Sequence, residues 1–319
     1  MTGKVLRLGG LLVGLALLAC GVGAVVLHYY PAEGNLTIYP TSAVPLAVLA
    51  AGAAVLVFAS IRRWVLVAVS AVVVGAVLVT QLPLWRAAPA PTGGPAITVL
   101  SSNLMMGAAD VAELARIVSD VRPDVVSLQE VTPDAYTRIV ASPIATAGLN
   151  EFAWPGPGAT GTVLLTRAPQ RGRAKLPGMV LHNLVAVTDL PGAPGTRVLA
   201  VHSGAPVPGA GYGELAIKDL KALRGHIEKL PPGPMIAIGD FNATWDHKHY
   251  RDLLAGGIED ATDQAGGGWL PTYPTDKIGH RPVVAIDHVI SRGFVATKVR
   301  TVELAGTDHR VLIVTLVAR

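Results

Sequence analysis

Residues 236–244 read IAIGDFNAT, a short apolar run that halts at Gly239 and is followed at once by an acid and an amide, Asp240 and Asn242. A run of this kind predicts a buried strand that ends in a turn, with both polar side chains at its end. Alone, such residues are turn formers. Reading outward finds the same arrangement five more times. VLSSN ends at Asn103, VVSLQEV carries Glu130, VLAVHSGAP carries His202, AIDHVIS carries Asp287, and GTDHRVLIV carries Asp308 and His309. Carboxylates and amides suit a hard divalent cation and two histidines suit proton transfer, so the set points to metal-assisted hydrolysis.

The intervening sequence supplies the frame. β-Branched runs predict strands at 97–102, 125–131, 162–166, 185–190, 197–202, 235–239, 288–291 and 311–317. Helical spacing predicts helices at 111–121 and 212–230, the second carrying Leu215, Leu220, Leu223 and Ile227. Several strands follow one another without a helix between, which favours a mixed two-sheet sandwich with helices outside. His288 and Arg310 adjoin motif residues but alternate to the other strand face, so they are left out of the expected site.

Residues 1–85 are of another kind. The mean hydropathy of +0.47 is too high for a soluble chain, and the excess lies in three nearly uncharged stretches, 8–27, 43–61 and 64–82. Each is close to the ~20 residues that a helix needs to cross a bilayer. Lys4, Arg7, Arg62 and Arg63 mark the cytoplasmic side, whereas the loop 28–42 holds only Glu33 among charged residues. The N-terminus is thus expected inside and everything after residue 82 outside, in a multi-pass protein of the cell membrane. Residues 86–95, RAAPAPTGGP, predict a semi-extended linker to a domain at 96–319. Cys20 is the only cysteine, so no intrachain disulfide is possible, and its apolar surroundings argue for a small residue within a helix. The formal charge of +4 belongs to the membrane part, because residues 96–319 hold 21 basic and 21 acidic side chains. The domain therefore lacks the overall basic field that promotes non-specific nucleic-acid binding.

The six ordered segments resemble those of the endonuclease/exonuclease/phosphatase superfamily, the DNase I-like group, across the whole of 96–319. With its apolar N-terminal region the chain resembles a membrane-anchored, three-span subgroup of actinobacterial type, associated with envelope processes. The resemblance implies a four-layer α/β/β/α sandwich with the site across one end of the paired sheets. It implies a divalent cation, Mg²⁺ or Mn²⁺, at Glu130 with help from Asn103 and with Asp308 beside it. Asp240 and Asn242 would position the nucleophilic water and a phosphate oxygen. His309, an imidazole with an ordinary pKa of ~6.5, would act as general base, oriented by Asp287. His202 would contact the phosphate or the leaving oxygen. Met105 stands where many relatives carry a second polar residue, which favours one metal over two. Trp269, Tyr273 and His280, in the loop that follows Gly266–Gly268, are expected at the rim, where they could bind substrate. The expected substrate is a membrane lipid phosphate or lipid-linked pyrophosphate, with nucleic acid as the alternative, and nothing in the sequence points to a protein partner.

Overall fold

Val99 and Leu100, adjacent and both fully buried, show how the sandwich is built. In a computed structural model that describes all residues except 1, 90, 92 and 207–211, Val99 faces a second sheet and Leu100 faces a layer of helices. Strands buried on both faces read as continuous apolar runs, and for that reason they are legible in the sequence.

The first sheet has the order β11(Phe294–Val302), β12(Val311–Ala318), β1(Ala96–Asn103), β2(Val125–Gln129), β4(Thr162–Thr166), β3(Asn150–Trp154). The second has the order β5(Gln170–Lys175), β6(Leu184–Leu190), β7(Ala193–His202), β8(Met235–Asp240), β10(Asp287–Arg292), β9(Glu259–Asp260). Val99, Val125, Leu164 and Val314 of one sheet meet Val198, Ala200, Ile236 and Ile238 of the other. Helices α5(Val111–Val121) and α6(Pro133–Val140) cover the outer face of the first sheet. Helix α7(Tyr212–Glu228) covers that of the second, through Leu220, Leu223 and Ile227. The result is the expected α/β/β/α order. At ~1.5–3 kcal/mol per buried large aliphatic side chain, these three layers of contact dominate the stability of a domain without disulfides.

Each sheet has one parallel pair at its centre, β1 with β2 and β7 with β8. Parallel strands end on the same side, and the antiparallel neighbours β10 and β12 begin there. Hence Asn103 pairs with Gln129, the residue before Glu130. Asp240 lies between His202 and Asp287 in register. The strand ends, rather than any single loop, bring the six segments together.

The N-terminal region folds as α1(Thr2–Tyr29), α2(Asn35–Ser42), α3(Ala47–Ser60) and α4(Trp64–Gln81). Lys4–Tyr29 and Trp64–Trp85 are each long and apolar enough to cross a membrane. The expected middle span, 43–61, differs. Residues 44–46 form a 3₁₀ turn containing Pro45, α3 has 14 residues, and the 44–60 segment is bent by 56° from α2. Fourteen residues reach only about 21 Å, so the third crossing depends on counting the bent pair as one span. Gly14 lets α1 approach Phe58 of α3, since a Cβ there would lie 2.5 Å from that ring. Cys20 is exposed on α1.

The start of the expected 86–95 linker packs on the domain at residues 87 and 88, and residues 90 and 92 lie outside the described residues. The Ala88 amide donates to the Gln264 carbonyl at 2.7 Å, and the Gly268 amide to the Leu84 carbonyl at 2.7 Å. A Cβ on Gly266 would lie 2.7 Å from the Ala87 nitrogen, and one on Gly268 2.8 Å from the Trp85 ring. These glycines permit close packing rather than a flexible binding loop.

Candidate active site

Asp240 sits where β8 passes unusually close to β7. A Cβ on Gly239 would lie 1.9 Å from the Val201 carbonyl oxygen, and Gly239 has φ +153°, so only glycine fits before the acid. After it, Asn242 turns into the left-handed region (φ 49°). There its amide N–H donates to Asp240 Oδ1 at 2.8 Å, and its Nδ2 donates to the Ser203 carbonyl at 2.9 Å. The GDFN sequence thus locks the acid and ties β8 to the turn after His202. Met105, Met106 and Glu130 also have positive φ, a clustering of strained backbone typical of functional sites.

Around Asp240 the expected residues converge. Asn103 Nδ2 donates to Asp240 Oδ2 at 3.0 Å and to Glu130 Oε1 at 3.1 Å. Its Oδ1 accepts from the Met105 amide at 2.9 Å, so in this arrangement Asn103 bridges the two acids by its NH₂. Glu130 Oε2 accepts from the Met106 amide at 2.6 Å. The Nε2 atoms of His202 and His309 each lie 3.8 Å from Asp240 Oδ2, and His309 Nδ1 is bonded to Asp287 Oδ2 at 2.8 Å. Tyr273 lies against the His309 ring, with centroids 4.9 Å apart. Asp308 is close enough to raise both His309 and Tyr273.

The two histidines are pushed in opposite directions. Burial lowers His309, but the charge and hydrogen bond of Asp287, then Asp240 and Asp308, outweigh it and hold His309 up at about 10. The reading of His309 as an imidazole of ordinary pKa is therefore corrected: three carboxylates make it a strong base, protonated at neutral pH in the cation-free protein. Burial drives His202 down to about 3, and the charge of His309 adds to this. Burial pushes Asp240 up to about 7 against the pull of His309, with Asp287 reinforcing the rise. Divergent pKa values of this kind separate acid from base roles.

The donor set fits a hard cation. Asp240, Asp287 and His309 each bring a ligand atom within 4.8 Å of one another, but Asp287 and His309 are already bonded to each other. Glu130, with 17% of its side chain exposed, and the half-buried Asp308 reach solvent where Asp240 and Asp287 do not, which suits a hydrated divalent ion.

The rim residues separate. Tyr273 joins the site; His280 borders an adjoining cleft of about 690 Å³ with Met105 and Thr307; Trp269 lies on the seam with the N-terminal helices, beside Leu84. His288, which strand alternation placed elsewhere, supports the site from behind. It bonds the Ala243 carbonyl at 2.9 Å and Asp260 Oδ2 at 3.2 Å, and Tyr250 donates to the same carboxylate oxygen. Alternation correctly put it on the other face; no local signal revealed that this face backs the catalytic turn.

A sequence profile of the endonuclease/exonuclease/phosphatase family matches residues 100–309. No curated protein matches the chain. Among solved structures, a humanised TDP2 from D. rerio is similar at TM-score 0.57 and 16% identity, covering 69% of this chain and 98% of its own. A 3′ phosphatase, NExo, from Neisseria, bound to product DNA hairpin, is similar at TM-score 0.53 and 15% identity, over 68% of this chain and 98% of its own. A family protein from Bacteroides thetaiotaomicron is similar at TM-score 0.53 and 15% identity, over 72% of this chain and 100% of its own. At these identities the likeness is one of fold, while the profile spans most of the sandwich and the polar residues of all six motif segments, from Asn103 to His309. The chain belongs to the endonuclease/exonuclease/phosphatase family.

Proposed function

We propose that this protein is a membrane-anchored, divalent-cation-dependent phosphoester hydrolase that works outside the cytoplasmic membrane on a lipid-linked phosphate or pyrophosphate. One observation carries the reading: the catalytic end of the sandwich is the end seated on the apolar helices. Asp287 of the site shares a cavity with Gln81 and Leu84, at the end of the last span. Tyr29, Tyr30 and Trp85, all more than 60% exposed, lie at this end of the helices, where interfacial aromatics are enriched. Arg62 and Arg63 lie at the opposite end, where Gly10 of α1 approaches Ile61. This supports a cytoplasmic N-terminus and an outward-facing domain.

The chemistry follows from the side chains. A Mg²⁺ or Mn²⁺ ion would be held by Glu130 with Asn103 and Asp308 alongside, and would supply positive charge that neutralises the phosphate and offsets the carboxylates around His309. Asp240 and Asn242 orient the attacking water. His309, kept in one orientation by Asp287, is the group placed to take its proton. His202, neutral and buried, points Nε2 into the same space, where it bonds a phosphate or leaving oxygen.

A nuclease is the second reading, favoured by the DNA in the Neisseria structure and opposed by the equal numbers of acidic and basic residues in 96–319. The experiment that separates them assays the full-length protein for Mg²⁺-dependent phosphate release from lipid pyrophosphate and for plasmid cleavage, with His309→Ala as the blank. Plasmid cleavage without lipid turnover would replace the first reading by the second.

A further inference from the structure

Directly after the catalytic turn at Asp240–Asn242, the chain runs along the outer ends of the N-terminal helices, and its polar groups are committed to them. Asp246 is 1% exposed, and its Oδ1 accepts from His28 Nδ1 at 2.7 Å and from Gln81 Nε2 at 2.8 Å. Trp245 Nε1 donates to the Thr80 carbonyl at 3.1 Å. His247 accepts from the Thr244 amide at Nδ1 and donates from Nε2 to the Ile38 carbonyl, both at 3.0 Å. This fixes a neutral tautomer linking the catalytic loop to α2. Three helices of the membrane region thus grip one short segment, five residues from the catalytic acid.

The grip reaches the site on a second side. Asp246 and Asp287 line the same cavity, about 30 Å³ in volume, and Asp246 Oδ2 and Asp287 Oδ1 are both buried with no hydrogen-bond partner among the described residues. The lining is largely apolar, with Leu84, Trp245, Trp269 and Leu270 around the two acids and Gln81, and the volume suffices for one or two waters, which these acids would hold. Asp287 in turn orients His309.

We propose that Asp246 is a positioning residue through which the membrane helices set the geometry of the catalytic turn and of Asp287. The membrane region is then a working part of the active site as well as its anchor. The inference rests on the hydrolase reading but not on a lipid substrate, so a soluble phosphodiester serves as the probe.

The test uses full-length protein in detergent with bis(p-nitrophenyl) phosphate and Mg²⁺, and compares Asp246→Ala, Asp246→Asn and Gln81→Leu. Misplacement of catalytic groups by a fraction of an ångström is expected to lower kcat about tenfold or more in Asp246→Ala, with KM within about twofold. Asp246→Asn keeps the Oδ1 acceptor and is expected to retain most activity. Gln81→Leu, in the last N-terminal helix, is expected to lower kcat as well, and adding it to Asp246→Ala should cost little more, because both break one linkage. Hydrogen exchange at the amides of 241–244 reads the same geometry without turnover and is expected to speed up in both Asp246→Ala and Gln81→Leu. If Asp246→Ala does not fold, Gln81→Leu carries the test by both readouts. Parental kcat and parental exchange in folded variants would overturn the proposal. A parent inactive toward every phosphoester would instead sink the hydrolase reading, leaving exchange to decide the linkage.

Discussion

Replacing Asp287 by Asn removes the charge that orients and activates His309 while keeping the side chain's shape. The rise of His309 from 6.5 to about 10 corresponds to roughly 5 kcal/mol of preference for the imidazolium, at about 1.36 kcal/mol per tenfold. Asp287 is the largest contributor to it, by charge and by the 2.8 Å hydrogen bond. If about half of that preference, ~2–3 kcal/mol, is what Asp287 gives the imidazolium formed as the water loses its proton, removing it slows that step by at most ~30–150-fold. A ring released into the wrong tautomer adds to the loss, so kcat is expected to fall by ~10²–10⁴-fold. KM should stay within about threefold, because Asp287 faces the histidine rather than the substrate. Steady-state phosphate release under saturating Mg²⁺, with thermal melts to confirm folding, reads this directly. A folded Asp287→Asn protein with kcat within about threefold of the parent would refute the assignment of His309 as the base.

Glu130→Gln is expected to raise the Mg²⁺ concentration for half-maximal activity by ~10-fold or more, since it replaces the proposed principal ligand; an unchanged Mg²⁺ titration would move the ion elsewhere. In EDTA, stability is expected to fall as pH rises from 6.5 to 10. Folded His309 keeps a proton up to about 10 that the unfolded chain sheds near 6.5, so its contribution is complete below 6.5 and lost as pH passes 10. Asp240, raised to about 7, acts in the same sense between 3.8 and 7, but there buried His202, held down at about 3, acts in the opposite sense, so the test is read between 6.5 and 10, where a flat melting temperature would contradict the His309 shift. Gly239→Ala must place a methyl group 1.9 Å from the Val201 carbonyl oxygen; the strained turn is expected to cost ~3 kcal/mol or more in denaturant unfolding, and a near-parental midpoint would contradict the close approach of β7 and β8.

The sequence announces what is buried on two sides and stays silent about what is buried on one. All eight strands expected from apolar runs are present, and both expected helices occur. The four unanticipated strands, β3, β5, β9 and β11, are the four sheet edges. Gln170–Lys175 reads QRGRAK and is almost wholly exposed, so no apolar run marks it, and charged edges of this kind are how sheets avoid pairing with other molecules. The site was legible because its residues end the most buried strands: Asn103, Glu130, His202, Asp240, Asp287 and His309 all meet. Trp269 lines the cavity between the domain and the N-terminal helices together with Leu84 and Asp287, where Gly266 and Gly268 pack closely on Ala87 and Trp85. The grip of Asp246 on His28 and Gln81 spans 218 and 165 residues, a separation that no local pattern reports.

The most direct test of the account is to reconstitute the full-length protein in liposomes and measure Mg²⁺-dependent phosphate release from a lipid pyrophosphate in the same bilayer, beside cleavage of added plasmid. The account predicts lipid turnover that vanishes in EDTA and in His309→Ala, with little or no plasmid cutting. Rapid plasmid cutting with an untouched lipid would contradict it, and the helices would then hold a nuclease at the membrane rather than present a site to it.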